Sequence, residues 1–139
     1  MIFRCQKLIL FAHCDPAGIV FYPRYIELCV EAVEDWFTQG IGVDFRTLHE
    51  DYRLGIPAVH LDVNFISPSR HGDMLDFLLT VGQIGNSSMT LDVIVECNGQ
   101  RRFREKIKVV LVSLDSMKSV KIEEFWRTKF APFMEPERP

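Results

Sequence analysis

Residues 11–39 read FAHCDPAGIVFYPRYIELCVEAVEDWFTQ, and the second half of this stretch decides the fold. From Pro23 to Gln39 the polar residues Arg24, Glu27, Glu31, Glu34, Asp35 and Thr38 recur mostly three or four apart, which makes one narrow stripe on a helix. The other faces carry Tyr25, Ile26, Leu28, Cys29, Val30, Ala32, Val33, Trp36 and Phe37. A helix lying on a protein surface shows a wider polar face. This one has to be wrapped, most simply by a curved sheet. Pro23 suits the first helical position, and Gly40 reads as the stop.

Working outward, Ile2 to Phe11 reads as a first strand, and Asp15, Pro16, Ala17 and Gly18 supply turn chemistry before the helix. After the helix, Asp44 caps a short second helix to Tyr52, with Phe45, Leu48 and Tyr52 on one side. Strands follow. Val59, Leu61, Val63 and Phe65 alternate with polar residues as a half-buried strand does; Leu75, Phe77, Leu79 and Val81 share a face, as do Met89, Leu91, Val93 and Val95. Asn98-Gly99 is a hairpin signal. A plain two-residue loop there would pair Val95 with Arg102 and mix core with charge. An odd loop, or an equivalent bulge, pairs Val95 with Phe103, Leu91 with Ile107, Glu96 with Arg102 and Asp92 with Lys106, and is preferred because a one-residue slip flips every side chain. The last strand runs to about Leu114, and Ile122, Phe125, Trp126 and Phe130 form a terminal helical turn docked outside. Strands in succession after a helix, without strand-helix alternation, give an α+β class with an antiparallel sheet.

The 139 residues fit one domain, 1–139. A hydrophobic fraction of 47% and a charged fraction of 25% are those of a globular protein. Apolar runs are too short to span a bilayer, no secretory leader pattern opens the chain, and a cytoplasmic location is expected. A net charge of −3 offers nucleic acid no general attraction. Cys5, Cys14, Cys29 and Cys97 lack metal-site spacing and read as reduced thiols, so neither a metal nor a redox cofactor is expected.

Chemistry concentrates at the helix start. No Ser, Thr, Asp or Asn immediately precedes Pro23, so the first-turn N–H groups are open to water, the turn or a ligand oxygen, and the helix dipole favours negative charge there. Asp15 has two readings. It either forms an Asx-turn before Pro16 or supplies a carboxylate for acyl transfer to water, with the helix N–H groups receiving the tetrahedral oxygen.

The segment CDPAGIVFYPRY, opening the central helix, resembles the 4-hydroxybenzoyl-CoA thioesterase family of hotdog-fold proteins; FISPSRHGDML resembles that family's turn between the second and third strands. The resemblance implies a hotdog fold, a five-stranded antiparallel sheet wrapped around the long helix, in homodimers or homotetramers with active sites between subunits. It implies hydrolysis of an acyl-CoA thioester with Asp15 as nucleophile or general base and the backbone N–H of Tyr22 at the oxyanion, Gly18, Pro23 and Val30 being substrate-binding positions.

Several positions depart from the family pattern. Where many relatives carry an acid, two residues before Asp15, this chain has His13, a turn residue or a partner for substrate. Val30 occupies the place of the acid that meets the aryl hydroxyl, which points to a less polar acyl group. The basic turn that grips CoA phosphates is replaced by Gly85, Asn86 and Ser87. Arg102, Arg104, Lys106 and Lys108 alternate on one strand face and are either a solvated face paired with Glu96 and Asp92 or a phosphate-binding row. Two rival functions remain: a non-catalytic module that binds an acyl thioester or a protein, and a thioesterase acting on an acyl carrier protein.

Overall fold

The computed structural model describes residues 1–134; residues 135–139, the last five of the expected domain, lie outside them. Five strands, β1 (Phe3–Leu8), β3 (Ala58–Phe65), β4 (Met74–Ile84), β5 (Ser88–Cys97) and β6 (Gln100–Val110), form an antiparallel sheet in the order β1-β4-β5-β6-β3. The short strands β2 (Leu54–Gly55) and β7 (Val112–Ser113) pair separately. Helix α1 (Pro23–Asp35) packs against β1, β4 and β6; α2 is Phe45–Glu50 and α3 is Glu124–Phe130. This is the expected α+β hotdog architecture. Among the described residues no helix is long and apolar enough to cross a membrane.

The sheet's inner face is built by alternation. Leu75, Phe77, Leu79, Val81, Leu91, Val93, Val95 and Phe103 are fully buried, and from α1 and the turn after it Leu28, Cys29, Ala32, Trp36 and Phe37 meet them. The wrapping is not complete. Val30 is 54% exposed, so α1 keeps an apolar residue outside the sheet's grip.

Three expectations change. The first strand ends at Leu8 rather than Phe11, because residues 11–13 turn into a short 3₁₀ segment in which His13 Nδ1 accepts the Leu10 N–H at 2.9 Å. The central helix does not stop at Gly40. It widens into a π-helical turn, Trp36–Ile41, and ends at Gly42, which adopts φ of 82°. Gly40 is required by packing instead: a Cβ there would lie 2.8 Å from the Trp36 ring. Lastly, β3 has the expected alternation but little burial, with Leu61 and Phe65 exposed. Both lie on the inner-face register, opposite Ile107 and Phe103, yet β3 is the sheet edge, and even with the Phe65 ring against Tyr25 of α1 the two stay 40% and 52% exposed.

The hairpin keeps its core pairs by the bulge. Asn98 and Gly99 both have positive φ, 51° and 78°, as a two-residue primed turn requires. A register shift between Val95 and Glu96 then restores Val95 opposite Phe103, Leu91 opposite Ile107 and Asp92 opposite Lys106; Glu96 meets Arg101 rather than Arg102. Ile122, Trp126 and Phe130 are buried by α3 and its approach, while Phe125 is exposed.

Candidate active site at the start of the central helix

Asp15 sits at the tip of a doubled-back loop. Cys14 and Val20 form an antiparallel bridge, Asp15 N–H donates to the Ile19 carbonyl at 3.0 Å, and Gly18 N–H donates to the Asp15 carbonyl at 2.9 Å, with Gly18 at φ of 82°. Asp15 Oδ1 accepts the Ala17 N–H at 2.9 Å. The Asx-turn is therefore real. It engages one carboxylate oxygen, and the residue remains partly exposed, so the turn that holds Asp15 also leaves it an oxygen for chemistry.

The loop returns to the helix through Phe21, whose N–H donates to the His13 carbonyl at 2.9 Å. His13 is thus a turn residue, engaged through its ring and its carbonyl. Tyr22 is the N-cap of α1 and has no side-chain cap. Pro23 has no N–H, while those of Arg24 and Tyr25 turn back to the carbonyls of Phe21 and Tyr22 at 2.8 and 3.2 Å. The N–H of Tyr22 has no hydrogen-bond partner among the described residues. The open donors expected over the whole first turn narrow to this one. Tyr22 also holds a helical ψ of −36° directly before Pro23, a combination that proline disfavours.

A groove of about 300 Å³ runs past Ile19, Val20, Tyr22, Tyr25, Phe65 and Pro68. Its wall is held from behind. Val20 N–H donates to the Ser69 carbonyl at 2.9 Å, and the buried Tyr25 hydroxyl and Ser69 Oγ are 2.8 Å apart. Arg102 donates to the Pro68 carbonyl at 2.8 Å, to Ser69 Oγ at 3.1 Å and to Asp73 Oδ2 at 3.0 Å. The Arg70 N–H and then the Arg102 guanidinium hold the Asp73 carboxyl below the usual range. Arg102 consequently leaves the expected row of solvated cations: it latches the loop 67–73 onto the groove. Arg104 pairs with Asp92 at 2.8 Å, and Lys106 and Lys108 remain exposed.

Val30 does not line this groove. It borders a second pocket of about 230 Å³ with Val33, Phe45, Ile56, Ile107 and Glu105. Glu105 is 2% exposed, and burial pushes its carboxyl up to about 7. The facing Cys29 thiol is raised too, by burial first and by Glu105 next. Glu105 was open to sequence reading: if Arg102, Arg104, Lys106 and Lys108 face outward, then Phe103, Glu105, Ile107 and Val109 face the core, and one of them is an acid.

Residues 9–130 match the family model of the thioesterase-like superfamily. The chain belongs to that superfamily. The 1,4-dihydroxy-2-naphthoyl-CoA hydrolase of Acaryochloris marina is 36% identical over 70 residues, covering 50% of this chain and 50% of that protein; the match thus spans about half the length of that relative. A 1,4-dihydroxy-2-naphthoyl-CoA thioesterase from Synechocystis superposes with a TM-score of 0.86 at 22% identity, covering 98% of this chain and 100% of that one. A gentisyl-coenzyme A thioesterase superposes at 0.82 and 24% identity, covering 93% and 99%. At these identities the two structures show the hotdog fold. The superfamily match is broader than the 4-hydroxybenzoyl-CoA family that the Asp15 segment resembles.

Proposed function

We propose that this protein is an acyl-CoA thioesterase whose reaction is centred on Asp15 and the N–H of Tyr22. The observation that carries the reading is the unpartnered Tyr22 N–H at the start of α1, reached by the loop that presents Asp15, in a chain of the thioesterase-like superfamily. The Tyr22 N–H and the positive end of α1 receive the thioester oxygen as it gains charge. Asp15 either removes a proton from the attacking water or attacks the carbonyl itself. In the second route the C–S bond breaks to give CoA thiolate and a mixed anhydride, which water then cleaves. Both routes consume one water and yield the free acid and CoA. Gly18 permits the turn that presents Asp15, and Pro23 leaves Tyr22 as the donor nearest the helix start.

The relatives' names carry hydroxylated aryl acyl groups, and the same class is proposed here in place of one particular member such as 4-hydroxybenzoyl. A homodimer or homotetramer is part of the proposal: the exposed apolar residues Leu61 and Phe65 on edge strand β3 suit a second copy of the chain. Thiol release measured across aryl and aliphatic acyl-CoAs, with matched acyl-carrier thioesters alongside, tests the reading. Hydrolysis of aryl-CoA thioesters is expected. Tight ligand binding with no release across the panel would favour a non-catalytic module, and release from carrier thioesters alone would move the substrate to the carrier. Label found in Asp15 after a single turnover in heavy-oxygen water would establish the covalent route with water attacking the anhydride at the Asp15 carbonyl.

A further inference from the structure

Glu105 sits where an apolar residue would serve folding better. On the inner face of β6 it lies between Phe103 and Ile107, opposite Val63 of β3 and Val93 of β5. Its Oε1 is buried without a hydrogen-bond partner among the described residues. The group within reach of the carboxyl is the Cys29 thiol, a weak donor. A buried polar atom left unmatched costs stability, so its presence calls for a reason.

The pocket beside it supplies one. Its lining is otherwise apolar, from Val30 and Val33 of α1, Phe45 of α2, Ile56 and Ile107, and its volume is about 230 Å³. A dry apolar cavity of about 150 Å³ is enough to hold benzene, so this pocket accepts a ring with substituents or a second fused ring. Val30 both lines it and is exposed, which places an opening beside α1. Along α1, eight residues separate Val30 from Tyr22, about 12 Å at 1.5 Å per residue. A hydroxylated aryl acyl group, roughly 6–9 Å from carbonyl oxygen to hydroxyl oxygen, reaches across that distance together with a hydrogen bond of about 2.9 Å at each end.

On the thioesterase reading, we propose that Glu105 determines specificity: its unpartnered carboxyl oxygen accepts a hydrogen bond from a hydroxyl on a ring-sized acyl group. The acid among the residues lining this pocket stands on its sheet side, on β6. Hydroxylated aryl acyl-CoAs are then selected over unsubstituted ones, since a site built for a hydroxyl is left with an unpaired polar group by the analogue that lacks it.

The test compares wild type with Glu105→Leu on matched pairs of substrates: benzoyl-CoA against its monohydroxy and 2,5-dihydroxy forms, and 2-naphthoyl-CoA against its 1,4-dihydroxy form. Wild type is expected to favour a hydroxylated member by roughly 10²-fold or more in kcat/KM. In Glu105→Leu that ratio is expected to fall to within about threefold of unity through loss on the hydroxylated member, with turnover of the unsubstituted one retained. Glu105→Met, closer in shape, gives the same reading if the leucine variant does not fold. An unchanged ratio in the folded variant, an equal loss on both members, or no hydroxyl preference in wild type overturns the assignment of Glu105 and leaves the thioesterase reading standing. No thiol release from any acyl-CoA by wild type overturns that reading, and the role of Glu105 with it.

Discussion

The carboxyl of Glu105 on β6 and the thiol of Cys29 on α1 face each other between sheet and helix, both held toward their neutral forms by burial. The carboxyl's value near 7 lies above the ordinary 4.5. A group raised on folding contributes its full stability below the unfolded value and loses it as pH climbs through the folded one. Between about pH 4.5 and 7 this residue should therefore remove on the order of 3 kcal/mol, at about 1.4 kcal/mol per pH unit. Urea denaturation of wild type and Glu105→Gln at pH 5, 6, 7 and 8 checks it. The stability difference should grow with pH in favour of the glutamine variant; parallel profiles would contradict the burial argument.

Tyr22 acts through its backbone in this account, so its side chain should matter little. Tyr22→Phe is expected to keep kcat within about threefold, whereas Tyr22→Pro, which deletes the N–H at a residue whose φ is already −53°, should lower kcat by roughly 10²-fold or more. Circular dichroism and a thermal melt establish that the proline variant is folded before its rate is read.

The end of the central helix distinguishes two glycines. Gly40→Ala drives a methyl toward the buried Trp36 and Phe133 rings, at 2.8 and 3.0 Å, and should cost about 1–3 kcal/mol. Gly42→Ala meets no neighbour within 4 Å and should cost only its left-handed backbone, about 1 kcal/mol. Chemical denaturation of the two variants measures the order.

Arg102 should behave as a structural latch rather than a surface cation. Arg102→Ala removes donors from the Pro68 carbonyl, Ser69 and Asp73, so a loss of about 2–3 kcal/mol and faster hydrogen exchange across residues 67–73 are expected. Lys106→Ala, on an exposed residue, should shift stability by less than about 0.5 kcal/mol.

Much of this was legible in the sequence, because period and parity are local. The narrow polar stripe on residues 23–39 announced a wrapped helix, and the conflict between Asn98-Gly99 and the core pairs announced a bulge. What escaped depended on neighbours far along the chain. Gly40 looked like a stop because nothing local shows Trp36 leaning over it. Leu61 and Phe65 have the pattern of a half-buried strand, but their place at the sheet edge follows from topology. Arg102 sits in a row of cations, and its partners come from residues 68, 69 and 73. At the site, Asp15 and its turn were readable, whereas the single open donor at Tyr22 emerged only once Arg24 and Tyr25 were seen to bond backward.

Asp15→Asn puts the central claim to its most direct test, because an asparagine side-chain oxygen still accepts the Ala17 N–H and keeps the turn. Thiol release from hydroxyaryl-CoA thioesters should fall at least about 10²-fold in kcat relative to wild type, with the melting temperature held within a few degrees. Wild-type turnover in the folded variant would contradict the account and leave Asp15 as a turn residue alone.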